Sequence, residues 1–493
     1  MAALILITTL LKMVNLEHDD MQGFIARGYG KLPAAVYLLI NIEKPNEARL
    51  WLSEHIKLIT PSARRPQDLA QHIAFTRSGL ETLGMYPEDL RTFSHAFYEG
   101  MTSIYRSKIL GDFNQNAPEK WDWGNPTEGS SVHALLMIFA RDKGVLEETI
   151  DKAREKYKGV VEHKRLDTFS FRPAREHFGF RDGIAQPIIE GLSRTGPPEN
   201  TLPAGEFILG YKNAYGKVAS GPTVALKNDP KGILPRVAIE AGSRNNETPT
   251  LQELEAADFG RNGSYLVFRQ MKQDVKGFWN FIAQASKEKT LKDSQDPRIK
   301  LAAKMVGRWP NGAPLTECPV KNNANQENNN NFNYAGDLDG SRCPIGAHIR
   351  RTNPRDALEG TFADSIKTSN RHRLLRRGRP YGKPLSSKFD IDEILAAKDN
   401  HEEVGLHFIC LNADLGRQFE FVQNTWVNNT KFAGLYSDSD PLIGNQHSDH
   451  NTFTIQRAPL RERITEMKSF VNVRGGAYFF LPGLRALRYL ASL

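Results

Sequence analysis

What the chain has little of narrows its chemistry first. Three cysteines, Cys318, Cys343 and Cys410, stand far apart in 493 residues. That odd count at wide spacing makes neither a disulfide framework nor a zinc signature, and it points to a reducing compartment. HExxH, CxxC, a Walker A lysine and a GxSxG elbow are all missing, and no GxGxxG follows a strand-like run. These gaps set aside zinc hydrolases, P-loop NTPases, α/β-hydrolases and dinucleotide-binding dehydrogenases. Paired carboxylates of the glycosidase kind stay open, because such acids can lie far apart in a chain. No apolar run reaches the 18 residues of a membrane span. The run Ala2–Leu11 is short, with no basic segment before it and no cleavage pattern after it. We therefore expect a soluble, cytoplasmic protein whose residues 1–20 form a disordered extension, with Met13 an alternative start.

What is present is ordinary globular composition, 40% hydrophobic and 25% charged. The length suits two or three domains or one large duplicated unit. The formal charge of +8 is mild for this length, but basic residues cluster in RHRLLRRGR, 371–379. A nucleic-acid face would need a recognisable module, and none is present. The other reading is that cleft arginines meet an anionic small ligand, such as the carboxylates or phosphates of a cofactor.

In chain order, AAVYLLINI (34–42) reads as a central strand, and Pro45 opens a helix. Residues 70–84 read as a strand leading into a short helix, and 93–128 as an irregular connection. SVHALLMIFARD (131–142) is a strand, and 144–157 an amphipathic helix with acids near its start and bases near its end. Residues 216–255 read as a surface excursion. A second strand–helix series begins at 263–285, an Asn-rich solvent tract follows at 321–333, and 404–428 and 475–490 each give a strand and a helix. This cadence, met twice, predicts an α+β fold: a duplicated unit of mostly antiparallel sheet with helices packed on it. We place the domains at 21–240 and 241–493.

Three motifs carry the chemistry. GDLDGSRCPIGAHIRRTNPRDA (336–357) sets His348 in tightly turned sequence, GFRDGIAQP (179–187) holds Asp182, and LRRGRPYG spans 375–382. A histidine in such a place is a core residue, a metal or haem ligand, or an acid–base catalyst; Asp182 alone would be a turn aspartate capping its own backbone. His447 and His450 in NQHSDH read as a surface pair. Together with FICLNADLGRQFEFVQNTW, the lead-in DMQGFIARGY and the ending RGGAYFFLPGLRAL, the three motifs make the chain resemble the dye-decolourising peroxidases. The likeness is to the longer bacterial members, and it runs from about Met21 to Leu493.

That resemblance implies two ferredoxin-like domains and haem b held in the C-terminal one. It implies that the GxxDG motif is Gly179, Asp182 and Gly183, that His348 is the metal-ligating proximal histidine, and that the distal arginine is Arg376, or Arg377 if the register slips. Gly378 removes one distal hydrogen bond that some members have. Asp182 would shuttle a proton between peroxide oxygens, and Arg376, always protonated, would act electrostatically. A carboxylate behind His348 would raise its donor strength, with Glu420 or Asp414 as candidates. Arg350 and Arg351 are candidates for the haem propionates. The function implied is a peroxidase that spends hydrogen peroxide on phenols and anthraquinone or azo dyes in one-electron steps, as a monomer or homodimer with no nucleic-acid or membrane partner. The alternative is a non-catalytic haem-binding or haem-handling protein.

Overall fold

The computed structural model describes residues 14–126, 132–192, 196–237, 255–287, 296–398, 402–446 and 451–493. A strand apolar at every position is stable only where both faces of its sheet are covered, and β1 (Ala34–Ile42) lies in such a place. It sends Val36, Leu38 and Ile40 into a core shared with helices, and Ala35, Tyr37 and Leu39 into a second core on the other face. Then come α1 (Pro45–His55), β2 (Leu69–Phe75), β3 (Ala134–Ala140), α2 (Lys143–Glu155) and β4 (Val160–Asp167). Pro45 occupies the first turn of α1, where its missing N–H costs nothing. Asp142 caps α2 by accepting the Val145 N–H at 2.9 Å. The strands pair antiparallel in the order β2-β3-β1-β4, with Ala34 opposite Ala140 and Ile40 opposite Ala134. This is a ferredoxin-like βαββαβ unit.

The unit then recurs. β5 (Ser264–Gln273) runs into α3 (Val275–Ser286), followed by α4 (Pro297–Val306) and the short α5 (His348–Thr352). Two short strands, β6 (Leu375–Arg376) and β7 (Arg379–Tyr381), both pair with β8 (Gly405–Asn412). π-helical turns at Gly416–Glu420 and Val422–Val427 lead toward β9 (Val471–Leu481) and the closing helix α6 (Leu484–Ser492). β8 pairs β5, and β5 pairs β9. β9 meets β2 at one residue pair, Phe480 opposite Phe75, so both ferredoxin-like repeats share one nine-stranded sheet.

Several expectations change. Residues 14–20 are anchored, not loose: Leu16 is buried, Glu17 pairs with Arg261 and Arg485, and Asp20 accepts from Asn262 at 2.8 Å. The connection at 93–128 contains two short helices, His95–Glu99 and Ile104–Leu110, each capped by the serine before it. The surface excursion is partly core, since Val224 and Leu234 pack with the helix-side cluster. The boundary expected at 240/241, most of residues 1–20, and His447 and His450 lie outside the described residues.

Candidate active site

The second repeat keeps a cavity against the ends of its strands, where Met271 of β5, Phe408 of β8 and Val471 of β9 form part of an apolar lining. It holds about 1560 Å³ of empty space, solvent at its mouth included. His348, Asp182 and Arg376, 194 residues apart at their widest, all line it.

His348 opens α5, directly after the tight turn of CPIGA. Its Nδ1 lies 2.9 Å from Asp440 Oδ2. The buried Asp440 is itself fixed: its Oδ1 accepts the N–H groups of Leu442 and Ile443 at 2.9 and 3.0 Å, and its own N–H donates to Val427. Burial alone would raise this carboxyl's pKa, but His348 and the two N–H donors outweigh burial and hold it below the ordinary aspartate value. A carboxylate at Nδ1 assigns the proton to that nitrogen and leaves the Nε2 lone pair for a metal. The acid behind His348 is therefore Asp440, not Glu420 or Asp414. Glu420 is taken by Arg106 and by the Tyr478 hydroxyl at 2.8 Å, and Asp414 caps the π-helical turn through the Arg417 N–H.

Asp182 sits in a loop whose flanking glycines have positive φ, +101° at Gly179 and +80° at Gly183, conformations that side chains resist. Its Oδ1 accepts the Gly183 N–H at 2.6 Å and lies 3.0 Å from Arg376 Nη1. Arg376 is held in turn by its backbone N–H, which donates to Gln186 at 3.0 Å. Burial pushes the Asp182 carboxyl up; Arg376, the Gly183 N–H and the more distant His348 pull it further down, so its net pKa is depressed. About a third of each side chain stays open, 33% for both. Arg377 turns away and donates to Phe24 and Ile25 carbonyls, so Arg376 is the arginine that meets the aspartate. Gly378, directly after Arg377, has a steric reason: a Cβ there would stand 2.3 Å from the His407 carbonyl.

Arg350 and Arg351 do not face the cavity. Arg350 is buried against Asp337 at 3.2 Å and over the Tyr334 ring; Arg351 donates to the carbonyls of Trp426, Asn429 and Asp438. Helical periodicity turns Arg350, two residues past His348, to another side of α5, whereas Arg351, nearly one turn on, is held away from the cavity by its three carbonyl partners. The cavity's cations are instead Arg308, Arg355 and Arg373, beside Arg376 and Arg181, the last of which pairs with Glu327. Arg308 and Arg355 donate to carbonyls at Gly312, Asn329, Asn330 and Phe332, and Arg373 reaches only Asn200 at 3.4 Å, with Nη2 unpartnered. Burial and neighbouring arginines push Arg373 down to about 9 and Arg308 to about 10. None of the three has a carboxylate partner among the described residues. The Asn-rich tract is thus more than a solvent loop, since its end supplies the acceptors that hold two of them. Arg373 belonged to the basic cluster visible in the sequence and Arg355 to the 336–357 motif, whereas nothing local marked Arg308 or Asp440.

An apolar cavity with one free imidazole nitrogen and buried cations lacking anionic partners fits a flat apolar macrocycle that carries a ligated metal and acidic side arms. Haem b meets those requirements.

Comparison with known proteins agrees with this chemistry. A family model described as Dyp-type peroxidase, C-terminal, matches residues 240–435. A dye-decolorizing peroxidase of Exidia glandulosa is 27% identical over 96% of this chain and 87% of its own length. The dye-decolorizing peroxidase AauDyP1 of Auricularia auricula-judae is 26% identical over 96% of this chain and 86% of its own. A solved dye-decolorizing peroxidase in complex with 2,6-dimethoxyphenol superposes with a TM-score of 0.75 at 25% identity, covering 97% of this chain and 100% of its own. Residues 240–435 thus match the C-terminal Dyp-type peroxidase model, and over nearly its whole length the chain is similar to dye-decolorizing peroxidases.

Proposed function

We propose that the chain reduces hydrogen peroxide in the cavity lined by Asp182, Arg376 and His348, and that aromatic donors return the electrons one at a time. The donors are phenols and anthraquinone or azo dyes. One observation carries this reading: a single cavity joins an imidazole whose Nδ1 is taken by a buried carboxylate to an ion-paired aspartate and arginine. Two relatives named for dye decolorization, and a solved neighbour holding 2,6-dimethoxyphenol, support the donor class.

Haem b, when bound, supplies the iron at which the O–O bond is cleaved and the oxidising equivalents are kept. His348 Nε2 would hold that iron, and Arg308, Arg355 and Arg373 would hold the propionates. Asp440 keeps the imidazole in one tautomer and makes it a stronger donor. Asp182, ionised down to unusually low pH, takes the proton from the inner peroxide oxygen and returns it to the outer one. Arg376 cannot serve as a base; it stabilises the charge that leaves with the outer oxygen and positions Asp182. The test is an absorption spectrum of the purified holoprotein with and without hydrogen peroxide. We expect a Soret band that shifts on mixing; a band indifferent to peroxide would favour haem binding without catalysis.

We also propose cytoplasmic residence, as a monomer or homodimer without nucleic-acid or membrane partners. Three buried, unpaired cysteines support a reducing setting. Cell fractionation with sedimentation of the native protein checks both points, and recovery from the medium or with membranes would overturn them.

A further inference from the structure

A second recess shares a wall with the cavity, because Phe178 lines both. Its sides are aromatic: the Phe171 ring stands 4.9 Å from Phe169 and 5.2 Å from Phe389, and Trp279 closes it at 3% exposure. Phe389 has a φ of +58°, a left-handed conformation that an aromatic residue resists, and the Ser386 hydroxyl braces that turn by accepting the Lys388 and Asp390 N–H groups. The rim carries Arg172, Arg175 and Lys388, and among the described residues no aspartate or glutamate lines the recess. Arg172 and Lys388 are exposed and form no ion pair among the described residues. Arg175 is engaged, donating to Gly179 and Pro310 carbonyls at 2.6 and 3.1 Å, and so ties the recess to the loop that carries Asp182. The empty space amounts to about 1150 Å³ with the solvent at its mouth.

We propose that this recess is a second donor site, separate from the cavity, for planar aromatic anions such as aryl sulfonates and aryl carboxylates. It rests on the peroxidase reading and extends it. Aromatic walls recognise a flat π-system by offset or edge contacts, and a rim of unpaired cations without acids selects an anionic substituent. The route inward is short: Phe178 and Phe278 pack at 4.5 Å, and Phe278 and Trp279 at 5.2 Å. One electron leaves the occupant's π-system and crosses this aromatic wall to the oxidising equivalents that peroxide leaves in the cavity. A hydroxylated occupant releases its phenolic proton to water. Two such transfers, with two protons, complete the reduction of one hydrogen peroxide to two waters.

The test is calorimetric titration of the holoprotein with anthraquinone-2-sulfonate. The unaltered protein is compared with Arg172→Ala/Lys388→Ala and with Phe389→Gly, which removes a wall while relieving the positive φ. We expect at least tenfold weaker binding in both variants, binding that weakens with salt, and a raised KM for sulfonated donors, while oxidation of uncharged guaiacol is unchanged. Equal affinity in all three proteins would overturn the recess as a site. Failure of the unaltered protein to oxidise guaiacol or any other donor would instead overturn the peroxidase reading, and the titration would still report on the recess.

Discussion

The two repeats have the same strand order and opposite roles. In the first, β1, β2 and β3 are buried on both faces, the link from β1 to β2 is short, and no residue of its sheet lines the cavity. In the second, the link from β5 to β6 runs from 274 to 374 and carries Arg308, His348, Arg355 and Arg373. Its second helix also departs from the pattern: α2 is a regular α-helix, whereas its counterpart is π-helical and presents Phe419, Val422 and Val427 to the cavity. A π-turn is wider than an α-turn, which suits a helix lying against a bulky guest. Topology thus sets the frame, and the site arises where one copy of that frame was lengthened and loosened.

That contrast can be broken at several strengths. Replacing His348 with Ala removes the proposed ligand, and we expect the Soret band to vanish or change grossly; an unchanged spectrum would move the ligand elsewhere. Asp182→Asn and Arg376→Leu keep the cavity's shape, and stopped-flow mixing with peroxide should show the first step slowed by about 10²–10⁴-fold. Asp440→Asn keeps a hydrogen-bonding group but loses the charge, and haem transfer to an acceptor protein should report retention weakened by about 10–100-fold. In the first repeat, Leu38→Ala should lower stability by about 2–5 kcal/mol in denaturant titration and leave the haem spectrum alone. The smallest effect concerns pH. Asp182 and Asp440 have folded pKa values below the unfolded one, so the stability they add is complete above the ordinary aspartate range and is lost as pH falls through the depressed values. The peroxide step should hold its rate to the same acid limit, and in Arg376→Leu that limit should move to higher pH. An unmoved limit would deny Asp182 its role.

Much of this was legible in the sequence because it is local. Unbroken apolar runs marked β1 and β3, and the Gly- and Pro-bounded motif GFRDGIAQP marked the Asp182 loop. What was hidden depends on contacts between distant segments. Asp440 lies 92 residues beyond His348, in a stretch whose aspartates look like turn formers. Adjacency suggested Arg350 and Arg351, but Arg350 lies about 200° round α5 from His348, Arg351 is held by the carbonyls of Trp426, Asn429 and Asp438, and the cavity's cations come from distant segments. The interior role of 216–237 was hidden because its apolar residues form no long run, although Val224 and Leu234 reach the core.

The asparagine tract carries a consequence for engineering. Its early part, around Lys321 and Asn322, is exposed and bears no guanidinium, so an added residue there only lengthens an outer arc. Between Asn329 and Phe332 the same insertion displaces the carbonyls that hold Arg308 and Arg355, and with them the aim of two charges at the cavity. Within one low-complexity run, length is free at one end and metered to a single residue at the other.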